Sequence, residues 1–144
     1  MIINSRHTGL VVKDISASIA FYESLGLSMW KQENEKGDFI SQVVGLKHAE
    51  IKTAKLKVGD GSLLELLEYK SHPTIPSASI YLSNNHGCSH VAFTVTDVEE
   101  IASKIVRLGG SIVNPPAISA NGSVKVMYCN DLDGILIEMV EEIQ

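Results

Sequence analysis

Two acids and two histidines recur at matching places in this chain, and together they could hold a divalent metal. Glu65 lies in Asp60-Gly-Ser-Leu-Leu-Glu-Leu-Leu-Glu68, and Glu138 lies in Asp133-Gly-Ile-Leu-Ile-Glu-Met-Val-Glu141. The Asp, the Gly, one Leu and both Glu are identical, and the other apolar positions match in kind. An Asp-Gly turn ahead of a short apolar run reads as the entry to a strand, often the second of a hairpin. Side chains alternate along a strand, so Glu65 shares a face with Leu67, and Glu138 with Val140. A carboxylate facing inward is costly unless it is paired or binds a metal. His7 and His90 open two further strands. Two imidazoles and two carboxylates suit a divalent first-row metal and leave positions for water or substrate. The same residues also read as two packed histidines, each salt-bridged to its own glutamate. Duplication would copy either arrangement.

The elements that must position these groups follow from hydrophobic period and turn residues. Residues 6–13 read as a strand, with His7, Gly9 and Val11 on one face. Asp14 or Ser16 can cap a helix running to about Leu25, with Ile15, Ile19, Tyr22 and Leu25 inward and Gly26 at its stop. Residues 27–31 read as a short strand and the polar residues 32–38 as a mobile loop. Residues 51–58 form the next strand, joined through Asp60-Gly61 to the Glu65 strand. Residues 71–87, rich in Pro, Ser and Asn, read as a linker with a short ordered piece near 80–82.

The pattern then starts again. Residues 90–96 form a strand with His90, Ala92 and Thr94 on one face, and Asp97 opens a helix stopped by Gly109-Gly110. Its inward residues are Val98, Ile101, Ala102, Ile105 and Leu108. Strand 112–113, loop 115–122 and strand 123–129 lead to the Asp133-Gly134 turn and the last strand. His7 and His90, Asp14 and Asp97, and Gly26 and Gly109 are each 83 positions apart, while Glu65 and Glu138 are 73 apart. The difference falls where loop length is free to vary. The chain is therefore an internal repeat of strand, helix and about three strands.

Composition sets the broad class. The 144 residues are 44% apolar and 20% charged, with a net charge of −5 and no basic cluster, which argues against a nucleic-acid partner. No apolar run approaches a membrane span and the first residues carry no h-region, so a cytoplasmic protein is expected. Cys88 and Cys129 make no disulfide framework and read as free thiols. His48, His72 and His86 read as solvated loop residues.

These residues resemble a known family, the vicinal oxygen chelate superfamily. His7, Asp14, Phe21-Tyr22 and Leu25-Gly26-Leu27 carry the likeness in the first half, with Glu65 in its Leu-Leu-Glu-Leu-Leu-Glu run. Gly87-Cys-Ser-His90-Val-Ala-Phe and Asp131-Leu-Asp-Gly134 before Glu138 carry it in the second. The family includes glyoxalase I, methylmalonyl-CoA epimerase, extradiol dioxygenases and fosfomycin- and bleomycin-resistance proteins. The resemblance implies an α+β fold of two tandem βαβββ modules forming a curved mixed sheet around a metal-binding cup. Residues 1–144 would make one such domain, with module one at about 5–70, a linker at about 71–87 and module two at about 88–142. It places the metal ligands on His7, Glu65, His90 and Glu138, and the ion would be nickel, cobalt, manganese or zinc.

The implied chemistry is that of an isomerase, epimerase or lyase. A small substrate with adjacent oxygens loses a proton next to its metal-chelated carbonyl through an enediolate. Glu138 is the first candidate base and Glu65 the second. Two alternatives stand beside it: an extradiol-type dioxygenase with ferrous iron, and a non-catalytic, resistance-type protein that binds a small molecule. Glutathione-using relatives tend to have Arg and Asn where this chain has Val11 and Tyr69, which argues against glutathione. Leu132 also stands where the family usually has Pro. Ile51, Thr53 and Lys55 are expected on the cup face of the first half, with Lys125, Met127 and Cys129 on that of the second. A homodimer is expected, and no membrane partner.

Overall fold

The strand and helix patterns pair up twice in the computed structural model, which describes residues 1–73 and 82–143. The chain divides into two units, Met1–Pro76 and Ser77–Gln144. The first holds β1 (Thr8–Val11), α1 (Ile15–Ser24), β2 (Ser28–Lys36), α2 (Asp38–Val44), β3 (Glu50–Lys57) and β4 (Leu63–Tyr69). Its sheet runs β1-β4-β3-β2, with β1 parallel to β4 and the other pairs antiparallel. The second holds β5 (Val91–Val95), α3 (Val98–Arg107), β6 (Ser111–Ile112), β7 (Ala117–Ile118), β8 (Val124–Asn130) and β9 (Leu136–Glu142). Its sheet runs β5-β9-β8-β6, β5 is parallel to β9, and β7 pairs with β8. The fold is α+β with two mixed sheets. Among the described residues no helix is long and apolar enough to cross a membrane.

The repeat explains its own second glutamate. A helix start leaves backbone N–H groups without partners. Asp14 Oδ1 accepts from the N–H of Ala17 at 3.0 Å, and Asp97 Oδ1 from that of Glu100 at 2.8 Å. The N–H one residue past each cap is taken from the sheet: Ile15 donates to Glu68 Oε2 at 2.9 Å and Val98 to Glu141 Oε2 at 2.8 Å. Each such bond contributes about 1 kcal/mol. Glu68 and Glu141 thus fasten helix to sheet, and their conservation in the repeat is structural.

Alternation then divides each sheet into a helix-covered face and an opposite face. In the first unit Ala54, Leu56, Leu64 and Leu66 are buried together with Ile15, Phe21 and Tyr22 of α1. The inward set of α1 includes Phe21 and Ser18, beyond the positions that helical spacing picked out. In the second, Met127, Cys129, Ile137 and Met139 are buried along with Val98 and Ile105 of α3. Part of the first unit's other face is covered by α2, where Ile40 and Val44 pack with Ala49, Ile51, Leu67 and Tyr69.

Two expectations need correction. Residues 32–36 continue β2 rather than forming a loop, because β2 is an edge strand paired on β3 alone, where charged side chains remain solvated. Residues 115–122 are not all loop: β7 forms a hairpin on β8, closed by Ser119 donating to Val124 O at 2.9 Å around the Asn121-Gly122 turn. Helix α2 was not foreseen at all. The ordered piece expected near 80–82 lies, for residues 80 and 81, outside the described residues.

Candidate functional site

On the first unit's face away from α1, register assembles a polar group. Gly9 is opposite Glu65 in the β1–β4 pairing, so His7, two residues earlier, comes to the same side. His7 Nε2 lies 2.9 Å from Glu65 Oε2. Lys55 is opposite Glu65 on β3, and its Nζ is 3.4 Å from Oε1. Glu65 therefore uses both oxygens, and its side chain is 11% exposed.

The second unit repeats the pair with a different neighbour. Ala92 is opposite Glu138, which brings His90 Nε2 to 3.3 Å from Glu138 Oε2. Tyr128 occupies the place of Lys55, opposite Glu138 on β8. Its hydroxyl is 3.4 Å from His90 Nδ1, its ring is 5.0 Å from the imidazole, and Ser89 Oγ is 3.1 Å from the same nitrogen. Glu138 is 24% exposed, about twice as open as Glu65.

The four residues singled out from sequence thus come together as two pairs, His7 with Glu65 and His90 with Glu138. These donors fit a divalent ion. In the second unit, Ser89 and Tyr128 hold His90 through Nδ1, which leaves Nε2 turned to the carboxylate, the arrangement that orients a metal-binding imidazole. An isolated, partly exposed ion pair contributes only about 0–1 kcal/mol, so stability alone is a weak reason for either pair.

The lining residues need one correction. Ile51, Thr53 and Lys55 do share the face of Glu65. Lys125, Met127 and Cys129 do not share that of Glu138, because they pair with Glu141, Met139 and Ile137 on the α3 side. The residues level with the acid are Val126, Tyr128 and Asn130. The signal was present in the repeat, since the 73-residue step from Glu65 to Glu138 also leads from Lys55 to Tyr128. Burial, with the charge of Asp131 adding to it, pushes the Cys129 thiol up to about 12, so it stays protonated. The two glutathione-linked positions serve other ends: Tyr69 packs on the α2 cluster, and Val11 is exposed at the surface.

Among the described residues, one further acidic group lies outside the pairs. Ligand atoms of Asp97, Glu99 and Glu141 fall within 4.8 Å of one another. Asp97 and Glu141 cap α3, and Lys125 Nζ sits 2.9 Å from both Glu99 carboxylate oxygens. Capping and an ion pair account for this cluster.

Comparison with known proteins gives the family and the fold. The family model described as Glyoxalase/Bleomycin resistance protein/Dioxygenase superfamily matches residues 5–139. A virulence protein of Salmonella typhimurium is 31% identical over 138 residues, covering 92% of this chain and 80% of its own length. A probable lactoylglutathione lyase of Synechocystis is 26% identical over 137 residues, covering 94% of this chain and 92% of its own. The crystal structure of a glyoxalase family protein from Bacillus cereus superposes with a TM-score of 0.92 at 28% identity, covering 100% of this chain and 97% of that one.

Proposed function

Because the chain belongs to the Glyoxalase/Bleomycin resistance protein/Dioxygenase superfamily, we propose that it is a divalent-metal-dependent isomerase, epimerase or lyase of glyoxalase type. The observation that carries this reading is the repeated pair, His7 with Glu65 at 2.9 Å and His90 with Glu138 at 3.3 Å. The lactoylglutathione lyase name of a relative supports lyase chemistry at low identity. In this reading residues 1–144 act as one domain. His7, Glu65, His90 and Glu138 would hold a single nickel, cobalt, manganese or zinc ion, within one chain or across a homodimer in the cytoplasm.

The bound ion would supply Lewis-acid polarisation of a substrate carbonyl. The chain's own residues do the rest. His7 and His90 act as neutral donors and are poor bases while so engaged. Glu138 removes the proton from the carbon next to the carbonyl and returns it. It is preferred to Glu65 because it is more open and, among the described residues, has one ion-pair partner, whereas Glu65 is held on both oxygens. Val11 and Tyr69 offer no guanidinium or amide for glutathione, so a smaller substrate with adjacent oxygens is the better fit.

Solvent exchange tests the reaction. In heavy water, the carbon next to the carbonyl of a 2-hydroxyaldehyde adduct or a 2-substituted acyl thioester should acquire deuterium. Glu138→Gln should slow that exchange by about 100-fold or more, with metal content measured on the same sample. Exchange that persists with metal retained would move the base to Glu65. Oxygen uptake with a catechol and no exchange would favour a ferrous dioxygenase. Tight, metal-independent capture of an apolar ligand would favour a resistance-type binder.

A further inference from the structure

Beside the first acid stands a lysine that the fold does not require. Lys55 and Tyr128 occupy the same place in the two hairpins, each opposite the acid of its own unit. One half uses a phenol where the other uses a cation, so strand pairing demands no charge there. The Lys55 side chain is largely covered, at 21% exposure, and its contact with Glu65 is 3.4 Å. The pairs Lys31–Glu33, Lys70–Glu68 and Lys125–Glu99 close to 2.9, 2.8 and 2.9 Å. A charge-assisted bond of full strength spans about 2.7–2.9 Å. An ammonium has three donors, and among the described residues Lys55 spends one of them, on a long bond.

A second observation points the same way. Lys31 on β2 is the cross-strand neighbour of Lys55. Like charges placed opposite each other are unfavourable, and Glu33 already holds Lys31. The result is two ammonium groups side by side next to the His7–Glu65 pair, of which Lys55 holds its partner by the longer contact. The donors that Lys55 does not spend on Glu65 can serve one further oxygen group, and a monoanion is repelled least by the Glu65 charge. A phosphate dianion would meet the charge of Glu65 with too little to offset it.

We propose that Lys55 selects the substrate by pairing with a carboxylate attached next to the reacting carbonyl, which makes the substrates small 2-oxygenated acids. The proposal rests on the reading of His7 and Glu65 as half of the reaction site. Lys55 is then a specificity residue that anchors the acid end of the substrate, leaving its carbonyl to the paired imidazole and carboxylate.

Binding of pyruvate and of methyl pyruvate, which differ in one negative charge, tests it by calorimetry on the full chain with and without manganese. Wild type should bind pyruvate about tenfold more tightly than the ester. Lys55→Met should bring that ratio close to one, and Lys55→Arg should restore most of it. Lys57→Met should leave it unchanged, since Lys57 lies over the Trp30 ring at 5.3 Å. If the methionine variant loses its circular-dichroism signature, Lys55→Gln takes its place. A ratio that survives removal of the charge, or a wild type with no preference, overturns the proposal. The measurement on metal-free protein separates the two ideas. Failure to take up any ion would sink the metalloenzyme reading while the ratio there still reports on Lys55.

Discussion

The two units share a backbone plan and differ in what surrounds their acids. Glu65 is tucked beneath two partners, on a face that α2 partly covers. Glu138 is more open and has His90 as its ion-pair partner, with Tyr128 in place of a cation. Duplication has kept what the fold needs: the parallel first-to-last strand pairing, the Asp caps and the glutamates that fasten each helix. The position opposite the acid was free to diverge because its side chain leaves the sheet on the face away from the fastening helix. A repeat can thus keep two equivalent His–Glu pairs and still surround them differently, one acid held on both oxygens and the other more open.

The sharpest way to break this comparison is to ask whether the halves share one ion. His7→Ala and His90→Ala should each abolish metal uptake almost completely, by at least about tenfold in affinity. Metal analysis of protein purified without chelator should give one ion per pair of modules. Two ions per pair of modules, with each variant losing only its own, would make the halves separate sites.

A smaller effect is expected where the units differ in packing. Gly110 follows the helix stop in the second unit, where the first has Leu27. A Cβ at Gly110 would lie 2.6 Å from Asn130 O and 2.7 Å from Ile105 Cγ2. Gly110→Ala should therefore cost about 1–3 kcal/mol in urea denaturation, without changing the His7–Glu65 half. Unchanged stability would mean that the helix end can move away from β8 at no expense.

The smallest effect concerns the fastening glutamates. The Lys70 ammonium, and after it the Ile15 N–H, hold the Glu68 carboxyl below its ordinary value. The stability this contributes is present above the unfolded pKa and is lost as pH falls through the lower folded one. Glu68→Gln should be less stable than wild type near neutrality by under about 1 kcal/mol. The gap should close in acid, as read from melting temperatures across the acid range. A gap that widened on acidification would have the wrong sign for this linkage.

Much of this molecule was legible as sequence because its signals are local or periodic. Asp-Gly turns, helix caps, the 83-residue step and the strand alternation around Glu65 and Glu138 each follow from short stretches of chain, and they were enough to mark His7, Glu65, His90 and Glu138. What sequence composition could not decide was anything set by a neighbouring strand. Residues 32–36 are polar because they lie at a sheet edge, and only their pairing with β3 makes them a strand. The faces of Lys125, Met127 and Cys129 depend on hairpin register, where a shift of one residue turns every side chain to the other side. The repeat step already aligns Lys55 with Tyr128, but only strand pairing sets each of them opposite its acid. Each side chain is ordinary by itself, and its meaning comes from the acid that tertiary pairing sets opposite it.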